Sequence, residues 1–159
     1  MRRTLIAIAI AAAVAVPSIG QAKSFRWAAQ GDILTFDPHS QNEGMTIAAN
    51  SYIYEPLVDY DKTFKVVPRL ATEWEQLSPT LYRFKLRPGV KFHDGAAFTA
   101  DDAVFSIHRA MAPTSNYKAY TTGIKEARKI DDLTIEIETS APNPCLLYTS
   151  DAADEEDSV

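Results

Sequence analysis

Residues 81–111 read LYRFKLRPGVKFHDGAAFTADDAVFSIHRAM. From Leu81 to Arg87 the side chains alternate, with Tyr82, Phe84 and Leu86 on one side and Arg83, Lys85 and Arg87 on the other. A period of two is that of a half-buried strand. Pro88-Gly89 supplies a fixed φ followed by a residue that tolerates positive φ, the chemistry of a type II turn. Val90 and Phe92 resume the alternation, so a second short strand is expected before Asp94-Gly95. Thr99 stands where a helix N-cap belongs, with Asp101 and Asp102 in the first turn at the positive end of the helix dipole. Ala103, Ile107, Ala110 and Met111 follow at helical spacing, and Pro113 marks the stop. No residue of the block forms a catalytic pattern. It is scaffold.

Working outward, Ser24 to Gln30 suits a first strand ending at Gly31-Asp32, and Leu34 to His39 turns at Asp37-Pro38, where the residue before proline is pushed out of the helical region. Ser40 to Thr46, SQNEGMT, is polar and follows a strand end, a usual place for binding loops. Ile47 to Leu57 is expected to be a helix with Ala48, Tyr52 and Glu55 along one side, closed by Pro56. Tyr52 and Tyr54 read as packing residues. Short strands are expected at Val58–Tyr60 and Phe64–Val67 around an Asp61-Lys62 turn. Pro68 to Trp74 reads as a buried edge segment, with Trp74 in the core rather than forming an aromatic platform. After the block, Ala112 to Tyr120 (APTSNYKAY) is a loop with two tyrosines. Ile130 to Thr139 is a strand with Leu133, Ile135 and Ile137 inward and Glu136 and Glu138 outward. Those glutamates match in sign the Arg83/Lys85/Arg87 row, so the two strands are expected to be neighbours, each charge pair worth roughly 0.2–1 kcal/mol.

The two ends differ from the rest. Arg2 and Arg3 precede the apolar run Leu5–Val16, and Gly20-Gln21-Ala22 offers a cleavage site after Ala22, the plan of a secretory signal. As a helix the run reaches only about 18 Å, short of a bilayer core of about 30 Å. No cysteine follows it, which favours a free periplasmic protein over a lipoprotein. From Cys145 the chain becomes CLLYTSDAADEEDSV, read either as an exposed acidic end or, by likeness to the translation of a sequencing-library adapter, as a non-native tail. Of 159 residues, 46% are hydrophobic and 23% charged, the composition of one globular domain. The formal charge of −5 becomes −2 once Arg2, Arg3 and the five acidic residues of the tail are set aside. A basic face for nucleic acid is therefore not expected. Without Cys145 there is no cysteine for disulfide or thiol chemistry.

The chemistry-bearing residues are sparse. His39, His93 and His108 show no short metal-ligand spacing, so no metal site and no cofactor are expected. There is no GxSxG elbow, P-loop or glycine-rich dinucleotide turn. Ser106 and His108, two apart on a helix, do not face each other, which removes a Ser106/His108/Asp102 triad. An enzyme is not expected, and a secreted hydrolase is the weakest of the alternatives.

RFKLRPGVKFHDGAAFTADDAVFS closely resembles the signature region of family 5 extracytoplasmic solute-binding proteins, the peptide, dipeptide and nickel receptors of ABC importers. TFDPH, YEPLVDYD and VVPRLATEWE resemble the same family in the same order, so the likeness spans roughly Phe25 to Pro144. It implies an α/β fold like that of type II periplasmic binding proteins, a mixed sheet with flanking helices, here the N-terminal part of a two-lobed receptor. It implies segments 1–22 (signal), 23–60 (start of the large lobe), 61–144 (a smaller α/β subdomain) and 145–159 (a non-native or disordered tail). The implied function is capture of a small peptide for a membrane permease by a monomeric protein. A nickel- or haem-binding relative of the same fold is the alternative. A fragment of this extent is expected to be marginally stable and to bind no peptide tightly by itself. In oligopeptide-binding members an acidic residue after the DPH turn meets the peptide's α-amino group, and a tyrosine after the first long helix lines the pocket. Glu43 and Tyr117 occupy the matching positions, with Asn42, Gly44 and Met45 as weaker neighbours. A solvated charge for Glu43 and a packing role for Tyr117 stand beside those roles.

Overall fold

The structure, a computed structural model, describes Arg26 and residues 28–149. The expected signal segment and most of the acidic tail lie outside them. Along the chain run α1 (Gly44–Asn50), β1 (Val58–Tyr60), β2 (Val66–Pro68), β3 (Ala71–Ser78), β4 (Leu81–Leu86), α2 (Ala100–Met111), α3 (Lys118–Thr121), β5 (Ile124–Asp131), β6 (Thr134–Thr139) and α4 (Leu146–Thr149). β1 and β2 form a small hairpin, and the other strands form an antiparallel sheet in the order β3-β4-β6-β5.

β4 follows its alternation closely. Tyr82, Phe84 and Leu86 are buried, 3–4% exposed, while Arg83 and Lys85 point to the other face. Gly89 takes φ 75° in the turn that follows. β4 lies beside β6 as the charges require, with Arg83 opposite Glu136, Tyr82 opposite Ile137 and Phe84 opposite Ile135. Lys85 instead pairs with Glu73 across β3, at 3.0 Å.

The apolar face of the sheet is covered by α2, whose Ala100 and Ala103 are buried, with Val104 and Ile107 packed beside them. Alanines at the contact let the helix axis come close to the strands. Thr99 begins α2: its backbone N–H and its hydroxyl both donate to the Asp102 carboxylate, at 2.8 and 2.9 Å. Thr99→Ala is expected to cost about 1 kcal/mol. It should appear as a lower urea midpoint with an unchanged slope.

Several expectations need correction. The described part of Ser24–Gln30 is not a strand, and Ala28 to Thr35 has no strand partner among the described residues. The first helix is Gly44–Asn50 rather than Ile47–Leu57, because Glu43 caps it three residues earlier. Residues 51–57 then turn and run extended into Pro56, leaving Tyr52 91% and Tyr54 46% exposed, so neither is a core packing residue. Val90–Phe92 is reduced to a single bridge between Lys91 and Ala97. The segment Pro68–Trp74 enters edge strand β3, where Ala71 is buried and Trp74 packs partly against the core, but Thr72 and Glu73 are exposed. The loop Ala112–Tyr120 runs into one helical turn, α3.

The single strand expected at Ile130–Thr139 is a hairpin. β5 runs to Asp131, whose carboxylate accepts the Leu133 N–H at 2.8 Å to close a tight turn into β6. Consequently Glu136 is not an open outward charge. It is 4% exposed, roofed by Arg83 from β4 and Arg128 from β5. At the far end, Leu146 is 5% exposed, and Leu147 packs against the same core.

Candidate functional site

The polar turn after Asp37-Pro38 is stitched to the end of α2. Asp37 accepts the His39 N–H at 3.0 Å, the side-chain form of a tight turn. Arg109, in the last turn of α2, grips the same carboxylate with both terminal nitrogens, at 2.7 and 2.6 Å. That bidentate pair is the chief reason the Asp37 carboxyl is held down at about 2, with the His39 N–H adding to it. The ring of His39 is pushed below its ordinary value, first by burial and then by Arg109. The Asn116 N–H donates to the His39 carbonyl at 3.0 Å, and its amide donates to the Ser40 carbonyl. The Tyr54 hydroxyl donates to the Phe36 carbonyl at 2.8 Å.

Glu43 is an N-cap with a carboxylate. One oxygen accepts the Met45 N–H at 2.9 Å, and the other accepts the Thr46 N–H at 3.0 Å and the Thr46 hydroxyl at 2.9 Å. These bonds, the Met45 N–H foremost, hold it below the usual carboxylate range, so it is ionised at neutral pH. A carboxylate offers about four lone-pair sites, and three are used, which leaves room for one further donor. Gly44, the first helical residue, is exposed and has open space where a Cβ would be. Met45 is half-buried and lines a shallow depression of about 190 Å³ with Gly31 and Ile33.

Tyr117 belongs to another concavity, a half-open cavity of about 410 Å³ between the Pro38–Val58 stretch and the sheet-and-helix layer. Leu57, Phe84, Ile107 and Ile137 supply its apolar wall, while His39, Tyr54, Tyr117 and Tyr120 supply aromatic rings. Tyr117 meets the edge of His39 at 6.1 Å and lies 5.8 Å from Tyr120 between ring centroids. Asn50 also lines this cavity. It is 7% exposed, and its side-chain oxygen has no hydrogen-bond partner.

Of the residues singled out from the sequence, Asn42 and Tyr117 share a neighbour: the Asn42 amide donates to the Tyr120 hydroxyl at 2.9 Å, and the Tyr120 ring lies beside that of Tyr117. Glu43, Gly44 and Met45 are not among the residues lining the larger cavity. Asp37, Asn50, Tyr54, Tyr120 and Arg109 were not singled out as site residues. Tyr54 and Tyr120 did stand in the right segments, but aromatic side chains in a sequence carry no mark of which face they take. His39, His93 and His108 join no group of three His, Cys, Asp or Glu side chains able to hold a metal among the described residues.

Residues 65–157 match the family described as bacterial extracellular solute-binding proteins, family 5 Middle, a match that extends past Cys145. A glutathione-binding protein of Pectobacterium atrosepticum is 33% identical over 144 residues, covering 89% of this chain and 28% of that protein. The dipeptide-binding protein of Escherichia coli is 32% identical, covering 87% of this chain and 29% of that one. Among solved structures, OppA of Burkholderia pseudomallei superposes with a TM-score of 0.66 at 28% identity, over 73% of this chain and 26% of its own. The chain spans less than a third of the length of these relatives. Its partial α/β architecture, with a sheet covered by helices, is that of periplasmic binding proteins. On the family match and these identities, the chain belongs to the family 5 extracellular solute-binding proteins.

Proposed function

We propose that this chain is the N-terminal part of a periplasmic receptor of an ABC importer that captures small peptides and hands them to a membrane permease. The observation that carries this reading is its family match together with relatives whose names specify glutathione and dipeptides. Residues 1–22 act as the secretory signal, 23–60 begin the large lobe, and 61–144 form the smaller α/β subdomain. In the complete receptor two lobes close on the ligand by hinge motion. A monomer suffices for this role.

Within the site, Glu43 is the partner of the peptide's α-ammonium. It is ionised, it keeps one acceptor position, and it sits where the chain leaves the Asp37–Arg109 clamp. A charge-assisted bond to an ammonium in a closed cleft is of the strong class. Tyr117 presents a flat apolar face to a side chain, and Asn42 holds the tyrosine pair in place through Tyr120. Gly44 and Met45 flank the carboxylate and shape its approach.

The test is Glu43→Gln in the full-length receptor, which keeps the side chain's size and its acceptor for one cap bond. Peptide affinity by titration calorimetry is expected to fall at least about ten-fold, the scale of losing one charge-assisted bond. Thermal melting should fall by no more than the roughly 1 kcal/mol scale of a weakened N-cap. Unchanged affinity would remove Glu43 from the site.

A further inference from the structure

From Phe36 to Glu43 the chain forms neither helix nor strand, and one turn, closed from the Ser40 N–H to the Asp37 carbonyl at 3.3 Å, interrupts it. A stretch with so little internal bonding takes its course from what grips it. Grips come from the end of α2 and the turn into α3. Arg109 holds the Asp37 carboxylate with both terminal nitrogens, and one of them lies 3.4 Å from Nδ1 of His39. Asn116 follows, its backbone N–H on the His39 carbonyl and its amide on the Ser40 carbonyl. Tyr120 completes the row by accepting from the Asn42 amide at 2.9 Å.

These grips fall in order: Asp37, then His39 and Ser40, then Asn42 are held by Arg109, Asn116 and Tyr120, so the two segments run alongside each other up to Glu43. The gripping segment also carries Tyr117, whose ring lies 5.8 Å from that of Tyr120. One short piece of chain therefore sets both members of the proposed site, Tyr117 directly and Glu43 through the loop. The Asp37–Arg109 pair is the strongest of the grips, yet it adds little to stability. Its side chains are 35% and 40% exposed, and ion pairs this accessible are worth little to folding. What a bidentate guanidinium–carboxylate fork supplies is a fixed orientation. Arg109 does not line the larger cavity, so it has no direct hold on a ligand there.

We propose that Arg109 is a positioning residue for the peptide's ammonium: its grip on Asp37 fixes the course of residues 37–43, and with it the placement of the Glu43 carboxylate relative to the Tyr117 ring. The role rests on the reading of Glu43 given above. A binding group has to be held within about 0.5 Å of its productive place, and a loop achieves that only with supporting bonds behind it.

The test measures selectivity rather than affinity alone. Full-length wild type and Arg109→Gln are titrated calorimetrically with alanyl-phenylalanine and with its N-acetylated form. Wild type should favour the free amine at least about ten-fold. Arg109→Gln should lose at least about five-fold in affinity for the free amine and nothing for the acetylated form, so the preference shrinks by the same factor. Its melting temperature should move by no more than about 2 °C. Arg109→Lys, which keeps the charge without the fork, should fall between the two. Asp37→Asn breaks the ion pair from the other side, leaves an acceptor for the His39 N–H, and should lose the same preference. It decides the matter where Arg109→Gln does not fold. Wild-type selectivity kept by these variants overturns the positioning role alone. An equal loss for both peptides also overturns it, since a merely structural residue would act that way. A wild type that binds neither peptide, or both alike, defeats the Glu43 reading and the positioning role with it.

Discussion

Phe84→Ala is expected to cost about 3–5 kcal/mol, the range for emptying a buried aromatic site. Phe84 is 3% exposed on the central strand β4, opposite Trp74 on β3 and Ile135 on β6. Its ring also forms part of the wall of the 410 Å³ cavity. Deleting it opens that cavity into the core, so neighbouring side chains have no well-packed position into which to collapse. The loss is a large share of the 5–15 kcal/mol that typically separates folded from unfolded domains. Urea denaturation followed by tryptophan fluorescence should report it, since Trp74 lies across the strand pair. A cost below about 1 kcal/mol would mean that the sheet face is not the main core.

Glu136→Gln is the second large effect, and its pH dependence carries more information than its size. Arg83 reaches one carboxylate oxygen with two nitrogens, at 3.0 and 2.6 Å, and Arg128 reaches the other at 3.1 and 2.6 Å. Breaking a fully buried ion pair costs about 3–5 kcal/mol. Here the two arginine side chains are 39% and 37% exposed and rehydrate when released, so roughly 2 kcal/mol is expected. The Arg83 bond, against the opposing effect of burial and with help from Arg128, holds the Glu136 carboxyl below its ordinary 4.5. A depressed carboxylate stabilises the fold fully above its unfolded value and loses that contribution as pH falls through the folded one. The difference between wild type and Glu136→Gln should therefore be constant above about pH 4.5 and shrink below it. A gap that stays constant to pH 3 would mean that the carboxylate's charge is not what binds the three strands.

How much of this was legible in the sequence depends on whether a residue's role is set by its neighbours along the chain. β4 and α2 were readable because alternation, a Pro-Gly turn and an acidic first turn are local patterns, and each was obeyed. The pairing of β4 with β6 was also readable, since a basic row and an acidic row of the same period identify each other. β5 was missed because Ile124 to Asp131, IKEARKID, buries mainly Ala127 and offers little alternation. Without β5, Arg128 had no assigned place and Glu136 looked like an open surface charge.

The candidate site was less legible still. Glu43 was a candidate by resemblance alone, while its capping of α1 depended on where the helix begins, at Gly44 rather than the expected Ile47. Tyr117 and Asn42 both neighbour Tyr120, and the Asp37–Arg109 clamp joins residues 72 positions apart. Contacts of that range leave no periodic trace. Asn50, buried with an unpartnered oxygen in the cavity wall, is likewise invisible until the fold is known.

Titration calorimetry of the full-length receptor with a small peptide and with the same peptide N-acetylated tests the central claim most directly. The account predicts tight binding of the free-amino peptide and a loss of at least about ten-fold on acetylation, because acetylation removes the ammonium for which Glu43 is proposed as the partner. Equal binding of the two forms, or no binding of peptide beside tight binding of a metal complex, would contradict it.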